Sequence, residues 1–182
     1  KIKQLVRRLK FNYEHINLDK ESIKLFWFKD KINFGDYLNK DLVPYFTNKQ
    51  IDWVPNNYSE EYYMAIGSIL HLATDKTIVW GSGLISDNCL PIKSPKEILA
   101  VRGPLTRNKL LNAKIKCPEI FGDPALIMPS LFYPKIDKKY ELGIIPHYVD
   151  KKHKFFLNKF NENVKIIDIE QENYQEFISD VL

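Results

Sequence analysis

Short apolar runs alternate with amphipathic stretches along most of the chain. The runs are rich in β-branched and aromatic side chains, which is typical of buried strands. Five of them are predicted as strands in the first part of the chain, at 23–28, 62–67, 77–80, 97–101 and 119–121. The stretches between them show helical periodicity or turn residues, at 37–46, 69–73, 105–113 and 126–132. Strands that alternate with helices predict an α/β fold, with a parallel sheet that carries helices on both faces.

The pattern is interrupted at residues 133–139, a polar segment that contains a proline and is predicted to be a linker. Beyond it the pattern restarts, with strands predicted at 140–146 and 164–169 and helices at 154–161 and 174–182. We therefore expect a Rossmann-like domain over 1–139 and the beginning of a second Rossmann-like domain over 140–182. Two strands are too few for an independent sheet with a covered core, so the second domain is expected to be incomplete.

The first ten residues form an amphipathic basic pattern, with Ile2, Leu5, Val6 and Leu9 on one helical face. Two interpretations stay open: a terminal helix packed on its own domain, which is favoured, or a basic helix at an anionic membrane surface. No apolar run approaches the ~18–20 residues that cross a bilayer, and no signal peptide is visible. We expect a cytoplasmic protein, with peripheral contact at the inner face of the membrane as the alternative.

The composition supports a globular domain and excludes some functions. The chain is 45% hydrophobic and 13% aromatic, enough for a normal core, and its net charge of +4 is spread along the sequence. This charge favours a lysine-rich surface over nucleic-acid binding. The two cysteines, Cys89 and Cys117, lie far apart, and no paired Cys or His spacing is present. Neither a disulfide framework nor a protein-bound metal is expected.

Arg102 carries the strongest chemical signal in the sequence. It follows an apolar run and precedes Gly103, Pro104 and a predicted helix. Backbone N–H groups at a helix N-terminus and the helix dipole attract anions, and a guanidinium adds a full positive charge. Proline loses no hydrogen bond at the first helical position. The junction predicts an anion-binding pocket; in the alternative interpretation an internal carboxylate, Asp36 or Asp123, neutralises the arginine.

Small and polar residues also follow the other predicted strands. Parallel strands point their carboxyl ends to one edge of the sheet, where open α/β sheets bind ligands. Glycine in such loops lets a ligand or another backbone approach closely. No Walker A sequence is present, and the pair Gly81 and Gly83 lacks the third glycine of a dinucleotide fingerprint. The loops expected to meet are Asn33-Phe34-Gly35-Asp36, Gly67-Ser68, Gly81-Ser82-Gly83, Gly122-Asp123-Pro124 and Pro146-His147-Tyr148.

Three titratable residues in these loops are candidates for proton transfer or substrate binding. Asp36 precedes an apolar periodic stretch, so a helix cap and a catalytic or hydroxyl-binding role are equally supported. Asp123 precedes Pro124, which favours a structural role in ordering the turn. His147 ends a predicted strand after the linker, where it could act as a general acid or base, although a lone histidine more often is not catalytic.

Six segments in order resemble the polysaccharide pyruvyl transferase family. No single segment is specific, but the ordered set is. The matching segments are Asn33-Phe34-Gly35-Asp36-Tyr37-Leu38-Asn39, Ala65-Ile66-Gly67-Ser68-Ile69-Leu70, Val79-Trp80-Gly81-Ser82-Gly83, Ala100-Val101-Arg102-Gly103-Pro104-Leu105-Thr106, Gly122-Asp123-Pro124-Ala125-Leu126 and Leu142-Gly143-Ile144-Ile145-Pro146-His147-Tyr148.

The resemblance implies two Rossmann-like domains that face a cleft, similar to glycosyltransferases of the GT-B type. It implies transfer of a pyruvyl group from phosphoenolpyruvate, the donor substrate, to a sugar of a surface polysaccharide or its lipid-linked precursor, as in capsule or exopolysaccharide synthesis. On this hypothesis Arg102 holds the donor anion, Gly81, Ser82 and Gly83 form the adjacent backbone cradle, Asp36 faces the acceptor hydroxyls, and His147 lies at the cleft edge. The remaining candidates for substrate binding are Asn33, Gly67, Ser68, Gly103 and Asp123.

The chain departs from the family pattern at its end. Family members usually continue into a strand that ends in a Ser-Ser-x-x-His-Gly-like segment, which forms the other wall of the donor site. These 182 residues stop just before that point, so we expect the second wall to lie outside them. Two alternatives remain: a nucleotide-sugar-dependent glycosyltransferase of the same architecture, and a catalytically inactive module that binds a glycan or a partner enzyme.

Overall fold

The computed structural model describes residues 22–157 and 160–182. Within them the chain forms an α/β fold, built on a five-stranded sheet in which every pair of neighbouring strands is parallel. The order of its strands is β2-β1-β3-β4-β5. This order is one of the common doubly wound arrangements and is compatible with a Rossmann-like fold. The strands are β1 (Ser22–Phe26), β2 (Gln50–Trp53), β3 (Tyr62–Met64), β4 (Thr77–Trp80) and β5 (Glu97–Ala100).

Helices connect these strands and bury both faces of the sheet. Helices α1 (Phe34–Tyr37) and α2 (Asn39–Thr47) follow β1, and α3 (Pro104–Asn112) follows β5. Short 3-10 helices span Leu70–Leu72 and Pro124–Ser130. One face of the sheet packs against α2 and the 124–130 segment, and the other against the 70–72 turn and α3. The prediction of helices on both faces is confirmed.

The two faces follow from the alternation of side chains along each strand. In β1, Leu25 points to the core beneath α2 with Leu42, whereas Phe26 belongs to the cluster on the opposite face. Leu42 and Leu25 are fully buried. Successive side chains of a strand point to opposite faces, so a strand buried on both sides reads as a continuous apolar run.

The structure differs from the strand predictions in several places. The edge strand β2 was not predicted, because its Gln-Ile-Asp-Trp sequence is short and half polar, and its burial alternates between exposed and half-buried. The predicted strand at 119–121 forms only an isolated bridge between Phe121 and Val101. The prediction at 23–28 ends two residues early in the structure, at Phe26, and the one at 62–67 ends at Met64, where the chain begins to turn.

A small second unit follows residues 133–139, which form neither helix nor strand. It contains a parallel pair of strands, β6 (Leu142–Ile144) and β7 (Val164–Ile166), with helices α4 (Lys154–Leu157) and α5 (Tyr174–Val181). The unit packs on the first helix of the main domain. The rings of Phe34 and Phe177 stack with centroids 4.0 Å apart, and the Phe34 backbone N–H donates to the Ile169 carbonyl at 2.9 Å.

The amphipathic pattern of residues 1–10 lies outside the described residues, so its two interpretations stay open. In the part of the chain that the structure describes, no helix is both long and apolar enough to cross a bilayer.

Candidate functional site

A cleft of about 770 Å³ lies at the carboxyl edge of the five-stranded sheet. The chain leaves β1 toward β2 on one side and leaves β3 toward β4 on the other, so the direction of winding reverses between β1 and β3. Open α/β sheets bind ligands in the crevice that this reversal creates. The cleft contains residues from the loops that follow both strands, 28–36 and 66–72, together with Ile85, Arg102, Asp123, Ala125, His147 and Tyr148.

Arg102 lies in this cleft and has no carboxylate partner among the described residues. Its Nη1 donates to the Ser68 hydroxyl oxygen at 2.7 Å, and its Nη2 donates to the Leu84 carbonyl at 3.1 Å. No Asp or Glu oxygen of residues 22–157 or 160–182 lies within 4.0 Å of the guanidinium. The side chain is exposed to solvent. The arginine is therefore held by neutral groups, and its charge is available to an anion.

Gly83 provides the surface on which the guanidinium rests. A Cβ atom on Gly83 would lie 2.6 Å from the Arg102 Nε and 2.7 Å from its Cζ and Nη2. Real Cβ contacts are longer, so any side chain at this position would displace the arginine. Gly83 does not itself line the cleft. This position does not support the prediction that Gly83 forms part of a ligand cradle. Gly83 instead supports the Arg102 side chain.

Backbone hydrogen bonds join the loops that carry these residues. The Gly83 N–H donates to the Gly67 carbonyl at 3.0 Å, and the Leu70 N–H donates to the Gly83 carbonyl at 3.1 Å. The Ser82 hydroxyl is fully buried and donates to the Ala65 carbonyl at 2.9 Å. Ser82 thus points into the protein, away from the cleft, and binds the loop after β4 to the loop after β3.

Gly81 has a structural role at a close contact with the 122–124 loop. Its φ of +100° is in the region that favours glycine. A Cβ atom there would lie 2.3 Å from the Pro124 Cδ and 2.7 Å from the Gly122 carbonyl oxygen. Glycine in such loops was expected because it lets a ligand or another backbone approach closely. At position 81 it is another backbone, that of the 122–124 loop, that requires glycine.

Asp36 lines the cleft from helix α1. Asn33 caps this helix, with its Oδ1 accepting from the Gly35 N–H at 2.9 Å. The carboxylate packs against Gly67, where a Cβ atom would lie 3.0 Å from the Asp36 Oδ1. Burial, and then the nearby charge of Asp123, raise the pKa of Asp36 to about 6. The interpretation of Asp36 as a helix cap is wrong, because Asn33 caps the helix and Asp36 lies within it. Asp36 remains a candidate for proton transfer.

Asp123 also lines the cleft, and it caps the following 3-10 helix through its Oδ1, which accepts from the Ala125 N–H at 3.0 Å. Burial raises the pKa of Asp123, while this hydrogen bond and the positive charge of Arg102 oppose the shift. The structural role favoured by the Asp-Pro sequence is present, and the same carboxylate faces the ligand space. Arg102 influences Asp123 through space rather than by a direct ion pair.

Asn39 was not singled out from the sequence as a candidate, although it lies in one of the resembling segments. It is fully buried. Its Nδ2 donates to the Asp36 carbonyl at 2.9 Å and to the Ile66 carbonyl at 3.0 Å, and its Oδ1 accepts from the Ile66 N–H at 3.0 Å. These bonds fix the Asp36 turn to the loop after β3. The signal that the sequence offered was the place of Asn39 in the first resembling segment, three residues after Asp36.

His147 and Tyr148 reach the cleft from the second unit, just after β6. Their rings lie 4.2 Å apart, and the Lys31 ammonium lies 3.9 Å from the centroid of the Tyr148 ring. His147 is exposed, and its Nδ1 accepts from the Val149 N–H at 3.4 Å. His147 lines the cleft, and its role in proton transfer stays a prediction.

A second depression, of about 610 Å³, adjoins the cleft at Arg102 and Ile85. Gly103, Pro104 and Thr106 at the start of α3 line it together with Lys109. Gly103 has open space around its Cα and an extended backbone. The candidate residues that meet in the cleft are Asn33, Asp36, Gly67, Ser68, Arg102, Asp123 and His147. Gly103 lies in the adjoining depression. Gly81, Ser82 and Gly83 lie behind the cleft and the depression.

Within the described residues, no group of three or more His, Cys, Asp or Glu side chains has the arrangement of a metal site. Both cysteines are free, and burial raises the pKa of the Cys117 thiol to about 11. A thiol with this pKa is a poor nucleophile at neutral pH.

Comparisons with known proteins give no activity. No protein-family model matches the chain. No solved structure matches it. The chain is 28% identical over 169 residues to "Uncharacterized protein L143" of Acanthamoeba polyphaga mimivirus, covering 85% of this chain and 56% of that protein. The chain thus spans a little over half the length of this curated relative.

Proposed function

We propose that the protein is a transferase that moves the pyruvyl group of phosphoenolpyruvate to two hydroxyls of a sugar, forming a pyruvate ketal. The main domain supplies one wall of the site, and the β6–β7 unit is the start of a second, Rossmann-like domain in a GT-B-like arrangement. The acceptor is a sugar of a surface polysaccharide or of its lipid-linked precursor, modified on the cytoplasmic side of the membrane. The proposal rests on the ordered segments and on the chemistry of the cleft.

The single observation that supports the proposal most strongly is the environment of Arg102. Its guanidinium is exposed in a cleft at the switch point of the sheet, and within residues 22–157 and 160–182 it bonds only to the neutral Ser68 hydroxyl and Leu84 carbonyl. Phosphoenolpyruvate carries a phosphate and a carboxylate, either of which a guanidinium binds in a bidentate manner. An arginine already neutralised by Asp36 or Asp123 would not have this capacity.

The reaction also requires groups that move protons. The enol methylene of the donor gains one proton and becomes a methyl group, the two sugar hydroxyls lose one proton each, and phosphate leaves with the second proton. Asp36 has a pKa of about 6. Its carboxylate is therefore largely ionised at neutral pH yet basic enough to accept a hydroxyl proton, which is the condition for an efficient general base.

Asp123 and His147 have supporting roles in this proposal. Burial is the main cause of the raised pKa of Asp36, the charge of Asp123 adds to it, and Asp123 lines the same cleft. His147, which lines the cleft from the second unit, donates a proton in this proposal. Asn33, Gly67 and Ser68 shape the surface between the donor anion and the acceptor.

Binding and turnover measurements on the full-length protein test the proposal. Isothermal titration calorimetry with phosphoenolpyruvate should give saturable binding that Arg102→Ala weakens by about tenfold or more, whereas a uridine or guanosine diphosphate sugar should not bind. Phosphate release should require both phosphoenolpyruvate and a glycan acceptor. Preferential binding of a nucleotide sugar would favour the glycosyltransferase alternative. Absence of phosphate release with every glycan acceptor, or unchanged transfer by Arg102→Ala, would contradict the proposal.

A further inference from the structure

His71 is a histidine of the cleft for which the described protein provides no hydrogen-bond partner. It lies in the Leu70–Leu72 turn and lines the same cleft as Arg102 and Ser68. Its Nδ1 is shielded from solvent and unpaired, and no hydrogen bond joins either ring nitrogen to residues 22–157 or 160–182. Buried polar atoms are paired in the great majority of cases, so an unpaired ring nitrogen beside a ligand cleft requires an explanation.

The position of His71 is fixed by the packing of its neighbours. Leu70 and Ala73 are fully buried, and Ile69 is 5% exposed. The Leu72 N–H donates to the Ile69 carbonyl at 2.9 Å, and the Ala73 N–H donates to the Leu70 carbonyl at 3.1 Å. The turn therefore cannot easily rotate the histidine away from the cleft. The unpaired imidazole belongs to a rigid part of the wall.

The same turn is connected directly to the support of Arg102. The Leu70 N–H donates to the carbonyl of Gly83, on which the guanidinium rests, and Ser68, three residues before His71, accepts from the Arg102 Nη1. Arg102, Ser68 and His71 are thus held by one set of backbone contacts. Because Nδ1 is covered by protein atoms, Nε2 is the ring nitrogen that a ligand in the cleft can reach, and its N–H can donate to a ligand oxygen.

From this geometry we infer that His71 is a second binding group for the anion held by Arg102, its imidazole donating a hydrogen bond to a phosphate or carboxylate oxygen. The inference rests on the proposed function, in which that anion is phosphoenolpyruvate. A guanidinium and an imidazole from loops that share backbone contacts would fix the orientation of the donor, which a single arginine leaves free to rotate.

Titration calorimetry with phosphoenolpyruvate on the full-length protein tests the inference. His71→Leu should weaken binding by about tenfold or more, the effect of losing one hydrogen bond to a charged group. His71→Gln places an amide near the position of Nε2 and should recover most of the affinity, whereas His71→Asn places one near the shielded Nδ1 and should not. His153→Leu is the matched control, because His153 is exposed and lies outside the cleft.

Nuclear magnetic resonance of the ring nitrogens separates binding from a structural effect. The His71 signals should shift when phosphoenolpyruvate saturates the protein, whereas the His153 signals should not. Unmoved His71 signals at saturation, or undiminished affinity in His71→Leu while Arg102→Ala loses binding, would overturn the inference and leave the proposed function intact. If the wild-type protein binds no phosphoenolpyruvate, both the inference and the proposed function fail.

Discussion

The guanidinium of Arg102 lies against the bare Cα of Gly83, so closely that a Cβ atom on Gly83 would approach its Nε to 2.6 Å. This contact defines the position of the positive charge in the cleft. It depends on a residue that does not touch the cleft itself. Gly83 therefore acts on the site through Arg102, and the dependence can be measured.

Gly83→Ala should displace the Arg102 side chain from Ser68 and weaken phosphoenolpyruvate binding. Stability should change by only about 1 kcal/mol or less, because an exposed, flexible side chain can move out of the way. A double-mutant cycle on binding of phosphoenolpyruvate provides the control. In an Arg102→Ala background, Gly83→Ala should have no further effect on affinity. Additive losses in the two variants would show that Gly83 acts independently of Arg102.

Gly81→Ala should destabilise the protein far more than the change at Gly83. Its positive φ strains any other residue, and the added Cβ would collide with Pro124 and with the Gly122 backbone. We expect a loss of about 3 kcal/mol or more from strain and overpacking together. Denaturant unfolding measures it, with Gly103→Ala as the comparison, since the Gly103 Cα faces open space. Similar denaturant midpoints of unfolding for Gly81→Ala and Gly103→Ala would refute the predicted strain and overpacking at Gly81.

The sequence predicted the edge of the sheet at which the site forms, because apolar runs ending in Gly, Asp or Arg place those residues together once the strands are parallel. It did not predict how the residues divide between the cleft and its support. Gly81, Ser82 and Gly83 follow a strand as Gly67 and Ser68 do, and only packing shows that the first three lie behind the cleft. Asn39 and His71 gave no periodic signal, since their roles depend on contacts distant in sequence.

The stability of the protein should depend on pH through Asp36. Its pKa is about 6 in the folded protein against 3.8 for an ordinary aspartate, so the folded state retains the proton longer. Stability from this group is then present at acidic pH and is lost as the pH rises from about 4 to about 6. Asp36→Asn should therefore stabilise the protein at about pH 8 and have little effect at about pH 4, as urea unfolding at both values would show. A stabilisation that does not change with pH would contradict the raised pKa.

Pyruvyl transfer should rise with pH through the ionisation of Asp36 and should be lost in Asp36→Asn. Asp123→Asn should move the midpoint of this rise to lower pH, because the charge of Asp123 contributes to the raised pKa of Asp36. An asparagine at position 123 keeps an oxygen to cap the Ala125 N–H, so the turn should be preserved. The midpoint of initial rate against pH is the measurement. An unshifted midpoint would mean that the two carboxylates do not interact.

Asn39→Leu should destabilise the protein, because it leaves the Ile66 N–H and the Asp36 and Ile66 carbonyls without their side-chain partner. Buried groups that lose their partners cost about 1–3 kcal/mol each, so we expect a total loss of about 2–4 kcal/mol. Asn108→Leu is the matched control at an exposed position of α3, with an expected change within about 0.5 kcal/mol. Equal unfolding free energies for the two variants would contradict the role of Asn39 in joining the Asp36 turn to the loop after β3.

The most direct test of the central claim is the affinity of the full-length protein for phosphoenolpyruvate, measured by titration calorimetry with and without Arg102. We expect saturable binding by the wild-type protein, a loss of about tenfold or more in Arg102→Ala, and partial recovery in Arg102→Lys, which keeps the charge but not the planar fork. Equal affinity of the wild-type protein and Arg102→Ala, or no binding by either, would contradict the assignment of this cleft to an anionic pyruvyl donor.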